Sequence, residues 1–333
     1  MSCGFDISGI LIGNAQDEEA GTGCTVILAL DGAVGAVDVR GGGPATRETD
    51  LLRPENSVQS VNAVVLSGGS AFGLDAATGV MSFLEEKGSG FPTGVCNVPI
   101  VCGASIFDLG IGSATVRPNA NMGYAACKVA APLSECAEGN IGAGTGATVG
   151  KFFGPDRAMK SGLGISGIQV GDLKVAAVSV VNAVGTIVDA DGTPIAGVLS
   201  PDLEQVMAPS DVMEQLAGLA MSGAFGGSSG AETSAGDSGS IENTTISCVV
   251  SNAKLTKAQC TKVCAMYHDG YARAINPVHS SFDGDTVFML ATGEVEAPQD
   301  IVGALGANMV EQAIRNAVEK AQPAYGLKAV SSL

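Results

Sequence analysis

Several segments of this chain are apolar at nearly every position, and this pattern limits the folds that it can adopt. Residues 61–66, 175–181 and 246–250 are rich in Val, Ile and Ala, and such short β-branched runs favour buried strands. Because successive side chains of a strand point to opposite sides of the sheet, these strands are apolar on both faces. A sheet of this kind must be covered on both sides. The sequence therefore predicts an α+β fold with two packed sheets and helices outside, a four-layer α-β-β-α sandwich.

The predicted elements place more strands than helices along the chain. One hairpin is predicted to join residues 22–30 to 33–39 through Asp31-Gly32, and another to join 164–170 to 173–181 through Gly171-Asp172. Hairpin connections argue against a doubly wound parallel sheet. Further strands are predicted at 61–66, 98–101, 246–250 and 286–292, and helices at 74–86, 119–131, 209–221, 256–275 and 298–321.

Charge and composition exclude some partners. The formal net charge is −17 and only 15% of the residues are charged, which argues against nucleic acid or an anionic membrane as partner. The N-terminus lacks a basic segment followed by an apolar one, so no signal peptide is expected. Nine cysteines without a regular spacing indicate reduced, buried thiols in a cytoplasmic protein.

The most informative junction lies between Asn243 and Thr244. Residues 222–242 are rich in Gly, Ser, Ala and acidic residues and contain no Lys or Arg, so they are predicted to form a flexible linker. This linker runs directly into the apolar strand. We hypothesise that the Thr244 hydroxyl attacks the carbonyl of Asn243 and cuts the chain there.

Cleavage would give Thr244 a free α-amine beside its own hydroxyl. An α-amine titrates near ~7.7–8.0, so part of it is neutral at neutral pH and can act as a general base. Threonine activated by its own amine needs no histidine. The alternative is a polar linker that precedes two threonines at a strand start, where threonine is common.

Two other polar sites are candidates for the same chemistry. Asp283-Gly284-Asp285 is either a tight turn or a carboxylate pair that holds an N-terminal ammonium. Asn182 interrupts an apolar strand, and a buried Asn must be hydrogen-bonded. It is satisfied by neighbouring backbone or serves a site as an oxyanion donor.

Other motifs do not carry a cofactor. The Gly-rich segment 144–151 ends in Lys151 but departs from the phosphate-loop pattern, because Phe152 stands where Ser or Thr is needed. Cys260, Cys264 and His268 share one face of a predicted helix, yet core packing is favoured over a metal site. A triad based on His279 and Asp283 is an alternative with little support. Neither a cofactor nor a metal is predicted.

Taken together, these segments resemble the self-cleaving aminopeptidase superfamily that includes L-aminopeptidase/D-esterases, β-peptidyl aminopeptidases and nylon-oligomer hydrolases. The matching segments lie in family order at residues 20–26, 37–42, 46–50, 66–74, 243–246 and 283–286. The nylon-oligomer hydrolase branch is the most similar, because it too has Asn-Thr-Thr-Ile and a pair of aspartates.

The resemblance implies an N-terminal-nucleophile-type sandwich with Thr244 as nucleophile. It implies that Asp283 and Asp285 position the amine, that Asn182 is the oxyanion donor and that Lys151 assists. Phe107 stands where the family has a tyrosine, so it belongs to the substrate pocket without that hydroxyl. The resemblance also implies no cofactor, and assembly of the chain into tetramers or larger homo-oligomers.

The predicted activity is hydrolysis of an amide, peptide or ester bond of a small substrate through an acyl-enzyme on Thr244. The chain would form one domain that is cut into residues 1–243 and 244–333. Two alternatives are an acyltransferase that uses the same nucleophile and an inactive oligomeric binding protein. The sequence leaves the substrate open among L-α-amino amides, D-amino esters, β-peptides and ω-amino acid oligomers.

Overall fold

The structure is a computed structural model, and it describes residues 3–222 and 243–333. The predicted linker, apart from Ser222, lies outside the described residues. The five α-helices in these ranges are α1 (Ala76–Glu86), α2 (Ala120–Lys128), α3 (Pro209–Met221), α4 (Lys257–Ala274) and α5 (Gln299–Glu319). The strands are β1 (Ile10–Asp17), β2 (Thr22–Val39), β3 (Ala45–Arg47), β4 (Ser60–Ser67), β5 (Phe91–Pro92), β6 (Asn97–Val98), β7 (Val101–Ser105), β8 (Thr148–Val149), β9 (Met159–Lys160), β10 (Leu163–Val170), β11 (Leu173–Asn182), β12 (Thr186–Val188), β13 (Pro194–Ala196), β14 (Thr244–Ala253), β15 (Ile275–Asn276) and β16 (Thr286–Val295).

The main sheet has nine strands in the described part of the chain. Their order is β10-β11-β14-β16-β2-β4-β7-β3, and β1 pairs with β2 outside this path. The pairs β14–β16 and β4–β7 are parallel, and the other neighbours are antiparallel. The result is a mixed sheet and not a doubly wound parallel one.

The central strands are apolar on both faces, as the sequence predicts. All ten residues of β14 are buried. Val249 of this strand packs in one apolar cluster with residues of α4 and α5, such as Val263 and Val310. Its neighbour Val250 packs in a second cluster. Alternate residues of one strand therefore contribute to two different cores.

The second cluster brings strands together that are not hydrogen-bonded neighbours. It combines residues of β11, β14 and β16 with residues of β2, β4 and β7, for example Val178 and Leu290 with Ile27 and Leu66. A third cluster joins the other face of β2 and β4 to α1 and α2, with Val26, Val65 and Val80 among its members. Helices α4 and α5 thus cover one face of β11, β14 and β16. Helices α1 and α2 cover one face of β2 and β4.

Local sequence signals explain where two helices begin. The Thr256 hydroxyl accepts a hydrogen bond from the Gln259 N–H, and the Gln259 side-chain oxygen accepts one from the Thr256 N–H, which forms a capping box at the start of α4. Asn119 caps α2 with its side-chain oxygen, which accepts from the Met122 N–H. These predicted helices are found within a few residues of the expected positions.

The predicted hairpin at Asp31-Gly32 is wrong. Residues 22–39 form one strand of 18 residues, β2, and Gly32 with φ +82° lies where the pairing with β4 shifts register. A glycine at positive φ suits a bulge as well as a turn, so the local signal did not distinguish them. The hairpin partner of β2 is instead β1, with Asp17 opposite Thr22. The hairpin at Gly171-Asp172 is found as β10 and β11.

No helix among residues 3–222 and 243–333 is long and apolar enough to cross a membrane. The nine cysteines are all free. Most of them are buried, but Cys96 is exposed and Cys136 is partly exposed, so burial does not extend to every thiol.

Candidate active site

The junction Asn243-Thr244 lies at the first residue of β14. In the uncut chain the Thr244 Oγ1 donates a hydrogen bond to the carbonyl oxygen of Asn243, at 2.5 Å. Thr244 is 4% exposed and Asn243 is 1% exposed. The hydroxyl is therefore held in a buried position beside the carbonyl of the preceding residue, which is the group that a self-cleaving threonine attacks.

The loop before β16 holds Asn243 in a short parallel bridge. Asn243 pairs with Asp283. The Asn243 N–H donates to the carbonyl of Phe282 at 3.0 Å, and the Gly284 N–H donates to the carbonyl of Asn243 at 2.7 Å. The carbonyl next to the Thr244 hydroxyl thus already accepts a backbone hydrogen bond, which is the arrangement needed to stabilise negative charge on that oxygen.

Asp285 lies on the other side of the junction and accepts three hydrogen bonds. One oxygen accepts from the Thr245 N–H at 2.8 Å. The other lies 3.2 Å from the backbone nitrogen of His279 and 2.8 Å from its Nδ1. The carboxylate is therefore fixed beside the first peptide unit of β14.

Asp283 is held by Ser280 and has a raised pKa. Its Oδ2 accepts hydrogen bonds from the Ser280 N–H at 2.9 Å and from the Ser280 hydroxyl at 2.6 Å. Burial raises the pKa of Asp283, and the neighbouring charge of Asp285 raises it further. Asp283 therefore holds a proton more tightly than an ordinary carboxyl group.

Asn182 is the register partner of Thr244 across the β11–β14 pair. Its Oδ1 accepts from the Lys151 Nζ at 2.8 Å and from the Thr148 N–H at 3.1 Å. Its Nδ2 donates to the carbonyl of Phe107 at 3.0 Å. Asn182 is fully buried, and backbone groups of Thr148 and Phe107 satisfy it. It also lies opposite Thr244, and its role as an oxyanion donor stays a prediction.

Lys151 joins this group through Asn182. Besides its bond to the amide oxygen, the Lys151 Nζ donates to the backbone carbonyl of Asn182 at 3.0 Å. Burial lowers the pKa of Lys151 to about 7, against the attraction of Asp283 and Asp108, which raises it. Lys151 can therefore exist in both protonation states near neutral pH.

Phe107 is present by its backbone. Its carbonyl receives the Asn182 amide, and its side chain is partly exposed. The adjacent Asp108 is buried and anchors this segment, because it accepts hydrogen bonds from the Gly69 N–H at 2.6 Å and the Thr22 hydroxyl at 2.8 Å. Phe107 has no hydroxyl to offer at this position.

The structure thus brings six of the sequence-predicted residues into one connected group: Asn243, Thr244, Asp283, Asp285, Asn182 and Lys151. It corrects the suggested pairing of His279 with Asp283, because His279 contacts Asp285. The imidazole lies between Asp285 and the ring of His268, whose centroid is 4.7 Å away. His279 therefore supports the carboxylate and is not paired as the triad alternative supposed.

The cysteines of α4 lie in the core. Cys260 and Cys264 are both fully buried in the cluster between the sheet and α4 and α5. His268 donates toward the carbonyl of Asp38, with its Nε2 at 3.2 Å from that oxygen. Among the described residues no group of three His, Cys, Asp or Glu side chains has an arrangement that could hold a metal ion.

Sequence reasoning missed three groups at the site. The Gly284 N–H and the Phe282 carbonyl are backbone groups, and no residue type signals them. Tyr271 was missed as well: its hydroxyl lies 3.2 Å from the Thr245 carbonyl, 2.8 Å from the Ser247 Oγ and 3.2 Å from the Thr286 carbonyl. Tyr271 lies on the face of α4 that is buried against the sheet, and its place on that face of the predicted helix was the sequence feature that could have indicated this contact.

Comparison with solved structures identifies the type of fold. The L-aminopeptidase D-Ala-esterase/amidase of Ochrobactrum anthropi, described as a new variant among the Ntn hydrolase fold, matches with a TM-score of 0.65 at 16% sequence identity. The match covers 95% of this chain and 85% of that chain. At this identity the likeness shows the fold alone, which is a mixed α/β fold of the N-terminal-nucleophile hydrolase type.

Sequence comparison identifies the family. The model of peptidase family S58 matches residues 5–331. An uncharacterized aminopeptidase of Mycobacterium tuberculosis is 40% identical over 355 residues, which cover 97% of this chain and 95% of that protein. The 6-aminohexanoate-oligomer endohydrolase of Paenarthrobacter ureafaciens is 34% identical over 88% of this chain and 76% of its own length. The chain belongs to peptidase family S58, and it is a hydrolase.

Proposed function

We propose that this hydrolase cuts its own chain between Asn243 and Thr244 and then uses Thr244 as the nucleophile on its substrates. The observation that carries the proposal is the buried contact between the Thr244 hydroxyl and the Asn243 carbonyl oxygen, which also accepts the Gly284 N–H. Nucleophile, electrophile and oxyanion donor are therefore adjacent in the uncut chain.

The cleavage proceeds in two steps. The Thr244 oxygen attacks the Asn243 carbonyl carbon and forms a C–O bond, the C–N bond breaks, and the hydroxyl proton ends on the Thr244 nitrogen. Water then breaks the ester, which releases the Asn243 carboxylate and returns a proton to the Thr244 oxygen. The amine formed in the first step becomes the general base for later turnovers.

We assign proposed roles to the surrounding residues from the contacts that they make. Asp283 and Asp285 lie on both sides of the junction and would position the new ammonium group. Asn182 lies opposite Thr244, and its Nδ2 carries two N–H groups. One donates to the Phe107 carbonyl, and the second would serve as a side-chain oxyanion donor. Lys151 orients that amide through its oxygen.

The proposed substrates are small amides, peptides or esters, which would be hydrolysed through an acyl-enzyme on Thr244. Relatives named as an aminopeptidase and as an oligomer endohydrolase support amide hydrolysis.

We also propose the four-layer arrangement. The apolar cluster that β14 and β4 share supports a sheet that is folded on itself, with α4 and α5 on one outer face and α1 and α2 on the other. Assembly into a homo-oligomer stays a prediction.

The test is the mass of the purified protein under denaturing conditions, with N-terminal sequencing of the smaller piece. In proportion to length, cleavage of the 33.0 kDa chain predicts fragments of roughly 24 and 9 kDa. The small fragment should begin Thr-Thr-Ile-Ser.

Two neighbouring variants make this test specific. Thr244→Ala should stay uncut because the attacking hydroxyl is gone. Thr245→Ala is the matched control, since Thr245 is equally buried and its N–H bond to Asp285 is kept; it should still be cut. A wild-type chain that remains at full length after long incubation would overturn the proposed function.

A further inference from the structure

Lys160 is a buried charged side chain that has no role in the mechanism proposed above. It is fully buried, and its Nζ donates hydrogen bonds to the backbone carbonyls of Gly144 at 3.0 Å, of Ala147 at 2.9 Å and of Ser161. An ammonium group has three N–H donors, so each donor has an acceptor. Burial lowers the pKa of Lys160 to about 7, while the charge of Asp108 raises it in part. The ammonium form is therefore present at neutral pH and predominates below it.

Two of the three carbonyls belong to the Gly-rich segment 144–151. This segment is also fixed by its backbone, because Thr148 and Lys160 are register partners in the β8–β9 pair and the Ser161 N–H donates to the Ala147 carbonyl at 2.9 Å. A phosphate loop directs backbone N–H groups at an anion. Here two backbone carbonyls face a cation of the protein itself, which gives the Gly-rich segment a different use.

The oxygen of the Asn182 side-chain amide depends on this segment. The Thr148 N–H donates to the Asn182 Oδ1 at 3.1 Å, and this N–H belongs to the same peptide unit as the Ala147 carbonyl, which accepts from Lys160. Because a peptide unit is planar, fixing its carbonyl also fixes the direction of its N–H. A cation at the carbonyl oxygen also polarises the unit and makes the N–H a stronger donor.

The nitrogen of the same amide depends on this segment as well. The Asn182 Nδ2 donates to the carbonyl of Phe107 at 3.0 Å. The next residue, Asp108, packs directly against the Gly-rich segment, since an added Cβ on Gly146 would lie 2.7 Å from the Asp108 Cβ. Both groups that hold the Asn182 amide are therefore set by the segment that Lys160 fixes.

We propose that Lys160 is a positioning residue for Asn182: its three hydrogen bonds set the 147–148 peptide unit, and through it the direction of the Asn182 amide opposite Thr244. This inference rests on the proposed function, in which the second N–H of Asn182 is an oxyanion donor. Such a donor contributes only when it points at the oxygen that becomes charged. Loss of the Lys160 bonds should therefore slow the chemistry at Thr244, although Lys160 acts only through the loop.

A second buried lysine offers a matched control. Lys257 is 4% exposed, and its Nζ also donates to three backbone carbonyls, those of Leu51 at 2.8 Å, Asn56 at 3.1 Å and Val58 at 2.9 Å. Lys257 is the first residue of α4. At about 1.5 Å per residue it lies about 21 Å along the helix from Tyr271, the residue of α4 that reaches the start of β14. Its removal costs the same kind of bonds far from Asn182.

The experiment measures the rate at which the small fragment appears in the wild-type chain, Lys160→Met, Lys160→Gln and Lys257→Met. Met keeps the length of the side chain without a donor, and Lys160→Met should slow cleavage by about tenfold to a hundredfold. Gln keeps two N–H groups and should slow it less. Lys257→Met should change the rate by no more than about threefold. Urea unfolding in a Thr244→Ala background shows which variants fold, and Lys160→Gln carries the comparison if Lys160→Met does not.

A double variant distinguishes positioning from general support of the fold. In an Asn182→Ala background the group that Lys160 positions is absent, so a Lys160 substitution should slow cleavage by no more than about threefold further. If it slows cleavage there by the same factor as in the wild-type chain, the positioning role is overturned.

The remaining outcomes separate the two proposals. Folded Lys160 variants that are cut as fast as Lys257→Met overturn the positioning role, while cleavage of the wild-type chain still supports Thr244 as the nucleophile. A wild-type chain that stays uncut overturns the proposed function itself, and with it the basis of this inference.

Discussion

At the scale of single residues, the two aspartates of the turn stand two positions apart but have different surroundings. Asp285 accepts three N–H contacts from Thr245 and His279. Asp283 accepts two from Ser280 and lies buried beside the charge of Asp285, which raises its pKa. This difference leads to opposite predictions for the same substitution at the two positions.

Asp283→Asn should stabilise the fold at neutral pH. Because the folded pKa of Asp283 is raised, the unfolded chain loses this proton first as the pH increases. The stability contribution of Asp283 therefore falls as the pH rises through the folded pKa, and stays low above it. A neutral Asn avoids this loss and still accepts from Ser280. The expected gain in the free energy of unfolding is about 0.5–2 kcal/mol, and it should shrink in mildly acidic buffer.

Asp285→Asn is the matched variant and should destabilise the fold. The Asn amide directs N–H groups at a place where donors already converge, which costs about 1–3 kcal/mol. Both variants are to be measured by urea unfolding in a Thr244→Ala background, so that the chain is uncut throughout. Equal effects of the two substitutions at neutral pH would contradict the raised pKa of Asp283.

Gly284 leaves no room for a side chain beside the Thr244 hydroxyl, the proposed nucleophile. An added Cβ would lie 2.7 Å from the Thr244 Oγ1, and a displacement of the hydroxyl by a fraction of this distance removes its alignment with the carbonyl. Gly284→Ala should therefore slow self-cleavage by about a hundredfold or more, measured as the appearance of the small fragment over time.

Gly43→Ala is the control for this prediction. Its added Cβ would meet nothing closer than the Asp283 carbonyl oxygen at 4.0 Å, which is an ordinary contact. Cleavage should change by no more than about threefold, as for substitutions without steric conflict. If both alanine variants are cut at the wild-type rate, the Thr244 hydroxyl is not confined by Gly284.

At the scale of elements, α4 connects β14, which carries the proposed nucleophile Thr244, to its parallel neighbour β16. The Tyr271 hydroxyl on this helix reaches the carbonyls of Thr245 in β14 and Thr286 in β16, and its side chain is fully buried. The helix therefore does more than cover the sheet, because it holds the starts of both strands in register where Thr244 and Asp285 must meet.

Tyr271→Phe should lower the free energy of unfolding by about 1 kcal/mol, because buried acceptors lose a donor while the ring packing is kept. Tyr124→Phe is the control: the Tyr124 hydroxyl contacts Glu86 at an exposed position, so its removal should have an effect within about 0.5 kcal/mol. Thermal or urea unfolding of both variants measures the difference. Indistinguishable stabilities would mean that the Tyr271 hydroxyl does not connect the strands.

At the scale of the whole molecule, the proposed small fragment forms the middle of the fold. Residues 244–333 contain β14, α4, β15, β16 and α5, and β14 lies between β11 and β16 in the main sheet. Its alternate residues are buried in the first and second apolar clusters. Separation of the fragments would expose both cores at once.

The two fragments should therefore remain together after cleavage. Size-exclusion chromatography in native buffer is expected to give one species that contains both, and this species should resolve into two pieces only after denaturation. Loss of the small fragment in native buffer would contradict the placement of β14 in the centre of the sheet. The same run reports the native mass, and therefore whether the chain assembles into the predicted homo-oligomer.

Much of this organisation was readable from the sequence. Strands that are apolar on both faces, such as 246–250, required cover on two sides, since side-chain direction alternates along any strand. The sequence also indicated that Asn243-Thr244 and the aspartate pair belong together, because their residue types carry the chemistry and their segments resemble a known family, and the structure places them in contact. These properties depend on short stretches of chain.

Tertiary structure alone decided which distant groups meet. The pairing of Asn182 with Thr244 joins segments that are far apart in the sequence. Even the closer pairing of β2 with β1 instead of a hairpin at Asp31-Gly32, and the contact of His279 with Asp285, did not follow from the local residue types. The bridge from Asn243 to the Phe282 carbonyl and the Gly284 N–H uses backbone groups that every residue possesses. Only the arrangement of the folded chain makes these groups a site, because no residue type encodes where a backbone hydrogen bond will be needed.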